Sequence, residues 1–299
     1  MKKLRIGTRG SELALWQAHH VQSLLQDIHV ESELIIIKTQ GDQVQHLSLD
    51  KLEGKGFFTK EIEEALLSNQ IDIAVHSHKD LETEQPFGLT IAAVSNRADP
   101  SELLLIHPEA EDKSETLGFK KNAIFGTSSS RRKAQMLHHR SDITLKDIRG
   151  NVPTRIQKLR DRQFDAILLA KAGVDRLNLD LSDLIVKVLD PNEFVPAPAQ
   201  GVLALQCRSN DNVAIEILNQ LNNTEVQDVI SIERGVLNKM KGGCHLPLGV
   251  YTTKKDDDYH VRVSYAPSWD APNRFITFNG NKKELLVDQI INTLNAQHQ

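Results

Sequence analysis

Cysteines, aromatic side chains and long apolar runs are all scarce in this chain of 299 residues, and each shortage excludes a class of protein. The 2 cysteines, Cys207 and Cys244, cannot form the disulfide framework of a small secreted domain. Aromatic residues make up 5% of the chain, too few for the stacking platforms of a single-strand nucleic-acid binder. No apolar run approaches the ~20 residues that a membrane-spanning helix needs.

The balance of charged residues argues against a further class, the nucleic-acid binders. Lys and Arg number 36 and Asp and Glu 40, a net charge of −4, whereas a general nucleic-acid binder carries a basic excess. The N-terminal residues become polar and glycine-rich where a signal peptide has its apolar core. We therefore expect a cytoplasmic globular protein that binds neither nucleic acid nor membrane.

Hydrophobic periodicity predicts alternating strands and helices at the start of the chain. The predicted strands are residues 4–7, 34–39 and 71–75, and the predicted helices are 12–26 and 59–68. This order is typical of βαβ units, so we predict an α/β fold whose sheet is mainly parallel and covered by helices.

The same order repeats later in the chain. Residues 125–132 resemble 6–11, and residues 165–168 resemble 72–75. The repeat predicts two similar lobes, which either internal duplication or convergent α/β sequence patterns would produce.

Two segments have the composition of crossings between these lobes: residues 96–100 and the proline-containing residues 190–200. Residues 202–206 are apolar enough for a buried strand that rejoins the first lobe. The predicted domains are residues 1–98 with 200–219, residues 99–199, and a small α+β domain at 220–299.

In both lobes small and hydroxyl residues lie between the end of a strand and the start of a helix. Free N–H groups and the helix dipole at such a helix start favour a bound anion. Arg9 lies in the first copy and Arg131 and Arg132 in the second, and guanidinium groups bind carboxylates bidentately. Further arginines near strand ends are Arg149, Arg155 and Arg176. Because ligands of open α/β sheets bind at the carboxyl ends of strands, the arginines predict a polycarboxylate site. Capped helices with solvated arginines are the alternative for either copy alone.

The segment after the predicted strand 71–75 contains titratable groups. His76 and His78 lack further ligands at a supporting spacing, so we predict no metal site. Asp80 is a carboxylate among cations that can stabilise a positive intermediate and move protons. A surface ion pair with Lys79 is the alternative interpretation of Asp80.

The two cysteines differ in context. Cys244 follows Gly242 and Gly243 on a loop where a thiol is either reactive or buried. Cys207 follows an apolar strand, so we predict that it is a core residue.

A series of short motifs occurs in one order over roughly the first 250 residues. They lie at residues 6–18, 54–61, 72–80, 126–132, 149–155, 200–201 and 242–244. Together they resemble the porphobilinogen deaminase (hydroxymethylbilane synthase) family. The chain departs from the commoner family sequence at His78, Ser130 and Ala199, none of which has an assigned role.

The resemblance implies two lobes similar to periplasmic binding proteins and a small α+β C-terminal domain. It implies a transferase of tetrapyrrole, porphyrin and heme biosynthesis that joins four porphobilinogen molecules head to tail into hydroxymethylbilane and releases ammonia at each step. The primer would be a dipyrromethane cofactor on a thioether at Cys244. A monomer with this small-molecule substrate is implied, without metal or nucleotide.

The resemblance also implies a role for each site residue. Asp80 would be the catalytic carboxylate. The cofactor-binding residues would be Cys244, Lys79, Thr127, Ser129, Arg131 and Arg132. The substrate-binding residues would be Arg9, Ser11, Gln17, Phe58, Ser128, Arg149, Arg155, Arg176 and Gln200.

Two other functions compete with this one. A two-lobed solute-binding or regulatory protein for a polycarboxylated ligand would need the arginines but neither Asp80 nor Cys244. A nucleic-acid protein would use the arginine cluster, but the net charge of −4 disfavours it.

Overall fold

The computed structural model describes residues 3–39, 59–241 and 246–296. The strands in these ranges are β1 (Leu4–Thr8), β2 (Ser32–Ile36), β3 (Ile73–Ser77), β4 (Leu89–Val94), β5 (Glu102–Ile106), β6 (Ile124–Gly126), β7 (Thr144–Lys146), β8 (Ala166–Ala170), β9 (Ile185–Leu189), β10 (Leu203–Arg208), β11 (Leu248–Lys255), β12 (Asp258–Tyr265) and β13 (Arg274–Gly280). The α-helices there are α1 (Glu12–Asp27), α2 (Lys60–Leu67), α3 (Ser130–His139), α4 (Val152–Arg160), α5 (Lys171–Leu177), α6 (Asn212–Asn219), α7 (Thr224–Lys239) and α8 (Lys283–Ala296).

The chain divides into two compact units. The first comprises Met1–Ala98 and Gln200–Asp228, and the second comprises Asp99–Ala199 and Val229–Gln299. The chain therefore passes from the first unit to the second after Ala98 and returns after Ala199.

The first unit contains one sheet in the order β2-β1-β3-β10-β4. β1 is parallel to β2 and β3, whereas β10 is antiparallel to its neighbours β3 and β4. On α1 the buried residues Ala18, Val21 and Leu25 share an apolar cluster with Ile6 and Ile73 of the sheet. The apolar stripe of the helix thus covers one face of the sheet.

The sheet of the second unit has the order β7-β6-β8-β5-β9. β6 is parallel to β7 and β8, and β5 is antiparallel to β8 and β9. Leu104 and Ile106 of β5 lie in one apolar cluster and Leu103 and Leu105 in another. Since side chains alternate along a strand, the sheet is covered on both faces.

A third sheet of antiparallel strands, in the order β11-β12-β13, lies near the C-terminus within the second unit. Its side chains Val250 and Val261 pack with Val236 of α7 and with Ile290 and Leu294 of α8. This separate core is the small α+β domain that the sequence predicts.

The predicted fold class is confirmed. In each five-stranded sheet four strands run in one direction, and the fifth, β10 or β5, is antiparallel to both of its neighbours at the equivalent position. A small C-terminal sheet follows them. The predicted strand at 202–206 is β10 and belongs to the first sheet, also as predicted. The three-way division at residues 99, 200 and 220 stays a prediction.

Two strand boundaries were predicted wrongly. β2 is Ser32–Ile36 rather than 34–39, because Leu4 of β1 pairs with Ser32. β3 is Ile73–Ser77 rather than 71–75, because β10 extends the pairing as far as Ser77.

No helix among the residues described combines the length and the apolar composition needed to cross a bilayer.

Gly201, where the chain re-enters the first unit, gives a test of this backbone path. Its φ is +88°, and a Cβ atom there would lie 2.4 Å from the carbonyl oxygen of Ala98. We expect Gly201→Ala to lower the free energy of unfolding by about 2 kcal/mol, because an L side chain is strained at this φ and meets backbone. Urea unfolding measures the change.

Gly10→Ala is the matched control, since its Cβ would make an ordinary 3.5 Å contact with Ile36. If both alanine variants unfolded at the same urea concentration, the path through Gly201 would be wrong.

Candidate functional site

The carboxyl edge of the first sheet carries those predicted residues of the first unit that lie in the described ranges. β1 and β3 are parallel neighbours, so the loops that follow them start at the same edge. Ser11, after β1, caps α1 with its Oγ, which accepts a hydrogen bond from the N–H of Ala14 at 3.4 Å. Arg9 lies between β1 and this cap and is half-buried. Asp80 lies after β3 as the last residue of the 3-10 turn His78–Asp80, and it is exposed.

Two side-chain hydrogen bonds hold this edge together. The buried Gln17 of α1 donates from Nε2 to Ser77 Oγ at 2.8 Å, which joins the helix to the end of β3. Lys79 donates from Nζ to Oε1 of the buried Gln200 at 3.2 Å. These bonds bring three predicted residues, Gln17, Lys79 and Gln200, to the end of β3.

A buried polar network lies behind this edge. His76 Nε2 is 3.2 Å from Gln206 Oε1, while Gln206 Nε2 donates to Gln85 Oε1 at 2.8 Å and to Glu63 Oε1 at 3.2 Å. Because the amide nitrogen of Gln206 is used as donor, its oxygen accepts, and His76 carries its proton on Nε2. Burial, together with the positive charge of Arg9, lowers the pKa of His76 to about 4. His76 is therefore neutral at pH 7.

The loop after β6 forms the corresponding edge of the second unit. Ser129 Oγ caps α3 by accepting from the N–H of Arg132 at 3.4 Å, and Thr127 Oγ1 accepts from the N–H of Ser129 at 3.3 Å. Ser128 Oγ donates to the carbonyl of Ile148 at 2.9 Å and accepts from its N–H at 3.1 Å. Ser128 thus joins the loop after β6 to the loop after β7.

Arg131 and Arg132 are buried in the first turn of α3, so the alternative of solvated arginines is wrong for this copy. Their Nη2 atoms donate to the two carboxylate oxygens of Glu102, each at 2.6 Å. Burial holds the pKa of Arg131 below its usual value, although the charge of Glu102 acts to raise it. Sequence reasoning missed Glu102, although a lone acid before the run Leu103–Ile106 was a usable signal.

The remaining predicted arginines of the second unit, Arg149, Arg155 and Arg176, follow β7 and β8. Asn151 caps α4, its Oδ1 accepting from the N–H of Thr154 at 2.9 Å. Arg155 donates from Nε to the carbonyl of Gly150 at 2.8 Å. Arg176 lies on α5, directly after β8, and burial lowers its pKa to about 10.

Two guanidinium nitrogens at this edge test whether a polycarboxylated group fits. The Nε atoms of Arg132 and Arg149 are buried and have no hydrogen-bond acceptor among the described residues. A buried donor without an acceptor costs free energy, which a carboxylate oxygen would recover through a charge-assisted hydrogen bond. The residues present therefore fit a ligand with several carboxylates.

Two predicted residues, Phe58 and Cys244, lie outside the described residues. Cys207 is fully buried, in agreement with its prediction as a core residue. Within the described ranges no group of three or more His, Cys, Asp or Glu side chains is arranged to hold a metal ion.

Comparison with known proteins decides the family. The family model described as "Porphobilinogen deaminase, dipyromethane cofactor binding domain" matches residues 4–216, more than half of the chain. The chain belongs to the porphobilinogen deaminase family. It therefore contains the cofactor-binding domain of that family, and the match covers both strand-end edges but ends before Cys244.

Relatives named porphobilinogen deaminase are similar over most of the chain. The one from Trichlorobacter lovleyi is 42% identical over 258 residues, which cover 86% of this chain and 80% of the relative. The one from Nitratiruptor sp. is 39% identical over 298 residues, which cover 99% of this chain and 90% of the relative.

Solved structures resemble the chain more distantly. The periplasmic VFT2 domain of BvgS from Bordetella pertussis has a TM-score of 0.43 and 13% identity, covering 77% of this chain and 92% of that domain. A similarity of this size carries no functional conclusion.

His76 gives the site a test by pH. As the pH falls from 7 to 5, the unfolded chain protonates this histidine near its usual pKa of ~6.5, whereas the folded chain does not. The free energy of unfolding that His76 contributes is therefore fully present above pH ~6.5. It is lost as the pH falls from there toward the folded pKa of about 4. We expect a loss of about 2 kcal/mol between pH 7 and 5 from this group.

His76→Gln keeps a donor for Gln206 but does not titrate, so its melting temperature should fall less over the same interval. Calorimetric scans of both proteins at each pH measure the difference. Parallel curves would show that His76 is not held neutral by the fold.

Proposed function

We propose that this protein is a hydroxymethylbilane synthase, which joins four porphobilinogen molecules head to tail into hydroxymethylbilane and releases ammonia at each step. The enzyme is a transferase of tetrapyrrole biosynthesis, the route to porphyrins and heme. One observation carries the proposal: in a chain of the porphobilinogen deaminase family, buried guanidinium N–H groups of Arg132 and Arg149 lack acceptors among the described residues.

The chemistry of the substrate matches these arginines. Each pyrrole of porphobilinogen carries an acetate and a propionate, so a lengthening chain of pyrroles brings many carboxylates to one site. Guanidinium groups with little water around them form strong, directional hydrogen bonds with such groups. The residues assigned to substrate are Arg9, Ser11, Gln17, Phe58, Ser128, Arg149, Arg155, Arg176 and Gln200.

We assign the cofactor site to Arg131, Arg132 and the loop after β6 in the second unit, together with Lys79 and Cys244. Cys244, Lys79, Thr127, Ser129, Arg131 and Arg132 would hold the dipyrromethane, with Cys244 forming the thioether. When bound, this group supplies the pyrrole to which the first substrate is joined. Arg131 and Arg132 donate to its carboxylates, and the N–H groups in the first turn of α3 that the Ser129 cap does not use favour an anion.

Asp80 is the catalytic carboxylate in this proposal. It is exposed at the end of β3, and the neighbouring Lys79 is held by Gln200. Its negative charge stabilises the cation that remains when porphobilinogen loses ammonia. It also accepts the proton that the pyrrole α-carbon releases after the new carbon–carbon bond forms.

The protein would act as a cytoplasmic monomer on a small molecule and not on nucleic acid. The net charge of −4 supports the absence of a nucleic-acid partner, and the 2 cysteines fit a reducing compartment.

A covalent cofactor makes the purified protein heavier than its sequence. We expect the intact mass to exceed the chain mass by one dipyrrole unit, and Cys244→Ala to lack the excess because it has no thiol to form the thioether. Cys207→Ala is the control and should keep the excess, since burial raises the pKa of Cys207 to about 11 and leaves its thiol unreactive. Active protein of unmodified mass would refute the attachment.

Loss of Asp80 separates catalysis from binding. We expect Asp80→Ala to fold normally and to lose about 10²-fold or more in kcat, because the cation and the released proton lose their partner. Initial rates of porphobilinogen consumption give the measurement, with Glu84→Ala, an exposed acid nearby, as the control that keeps its rate. A solute-binding protein would instead bind porphobilinogen without turnover even in the wild type.

A further inference from the structure

Glu102 is an acid in an otherwise apolar buried strand. β5 runs Glu102-Leu103-Leu104-Leu105-Ile106, and all five residues are buried. The Glu102 side chain is 0% exposed. Carboxylates are rarely buried to this extent unless they are paired, so the partners of Glu102 indicate its role.

Those partners are the two arginines at the start of α3. Each carboxylate oxygen of Glu102 accepts from a different arginine, Arg131 or Arg132, at 2.6 Å. The arginine side chains are only 6% and 9% exposed. One buried anion thus lies between two adjacent buried cations, and the group keeps a net positive charge.

Each guanidinium is fixed at a second point. Arg131 donates from Nη1 to the carbonyl of Val195 at 2.8 Å, and Arg132 donates from Nη1 to the carbonyl of Leu168 at 3.0 Å. A planar group held at two points has a set orientation. The Nε–H of Arg132, which has no acceptor among the described residues, is therefore held in one direction.

Stability alone gives no reason for this arrangement. Replacing a buried ion pair or triad by apolar side chains of similar volume is often neutral or stabilising, because the charges lose their hydration. An apolar residue at position 102 would also match the rest of β5. The acid therefore points to a requirement for two oriented cations at this edge.

We propose that Glu102 is a positioning residue that balances the charge of Arg131 and Arg132 and orients them toward the carboxylates of the dipyrromethane cofactor. The proposal rests on the function proposed above. Glu102 touches neither cofactor nor substrate and acts through the arginines.

Glu102→Gln tests the proposal with cofactor loading as the readout. The amide keeps the shape but loses the charge, and its NH₂ group faces one guanidinium donor. We expect the fraction of purified chains that carry the covalent dipyrrole, measured by intact mass, to fall about tenfold. In the chains that are loaded, KM should rise more than kcat falls.

Asp142→Asn is the matched control for a loss of stability. Asp142 pairs with the buried Arg140 at 2.7 Å in the same unit, outside the strand-end loops. Its loss should lower the melting temperature and leave the loaded fraction unchanged. A folded Glu102→Gln protein with the loaded fraction of the wild type would overturn the positioning role.

Glu102→Asp keeps the charge but has a shorter reach, so its loaded fraction should lie between those of the wild type and Glu102→Gln. If Glu102→Gln does not fold, this variant decides, and a wild-type loaded fraction would refute the proposal. Wild-type protein that neither carries the dipyrrole nor consumes porphobilinogen would instead refute the proposed function, and the positioning role with it.

Discussion

Parallel strands joined by helices all end at the same edge of a sheet, and the candidate site depends on this constraint. In the second unit the loops after β6 and β7 carry Ser129 and Arg149, and helix α5 after β8 carries Arg176, residues far apart along the chain. The topology alone brings these loops to one edge, and the hydrogen bonds between Ser128 and Ile148 join two of them. Helices begin at the same edge, so their free N–H groups add to its preference for anions.

Burial of charge sets the energetics of that edge. A guanidinium group removed from water needs acceptors, and Arg131 and Arg132 find them in Glu102 and in backbone carbonyls. The pairing is incomplete, since the Nε–H of Arg132 has no acceptor among the described residues. Such a donor costs free energy in the unliganded protein, and a ligand carboxylate would recover it. The site is thus organised for anions before any ligand arrives.

Both units use their antiparallel strand in the same way. β10 in the first sheet lies antiparallel beside β3, and β5 in the second lies antiparallel beside β8. Each is the first strand after the chain has passed from one unit to the other. Each brings a polar side chain to a partner from a distant part of the sequence. Gln206 of β10 contacts His76 of β3. Glu102 of β5 accepts from Arg131 and Arg132, and Arg132 also donates to the Leu168 carbonyl of β8. In each sheet the antiparallel strand therefore supplies a polar partner for residues of the parallel part.

The sequence by itself determined the fold class, the family and most of the candidate residues. Periodicity is a local property, so the helices near residues 12–26 and 59–68 and the repeat of two lobes were readable without a structure. The order of the short motifs predicted Asp80 and the arginines as site residues, and their roles stay predictions. The roles of Phe58 and Cys244 are predictions from sequence only, because both lie outside the described residues.

Only the tertiary structure decided which side chains are partners. Glu102 is 29 and 30 residues from the arginines it binds, and Gln206 is 130 residues from His76. The end of β3 was also mispredicted, because pairing with β10 sets it. Such pairings depend on which strands become neighbours and in which register, and no local pattern contains that information. For the same reason, burial of Arg131 and Arg132 could not be predicted: it follows from an anion that a distant strand supplies.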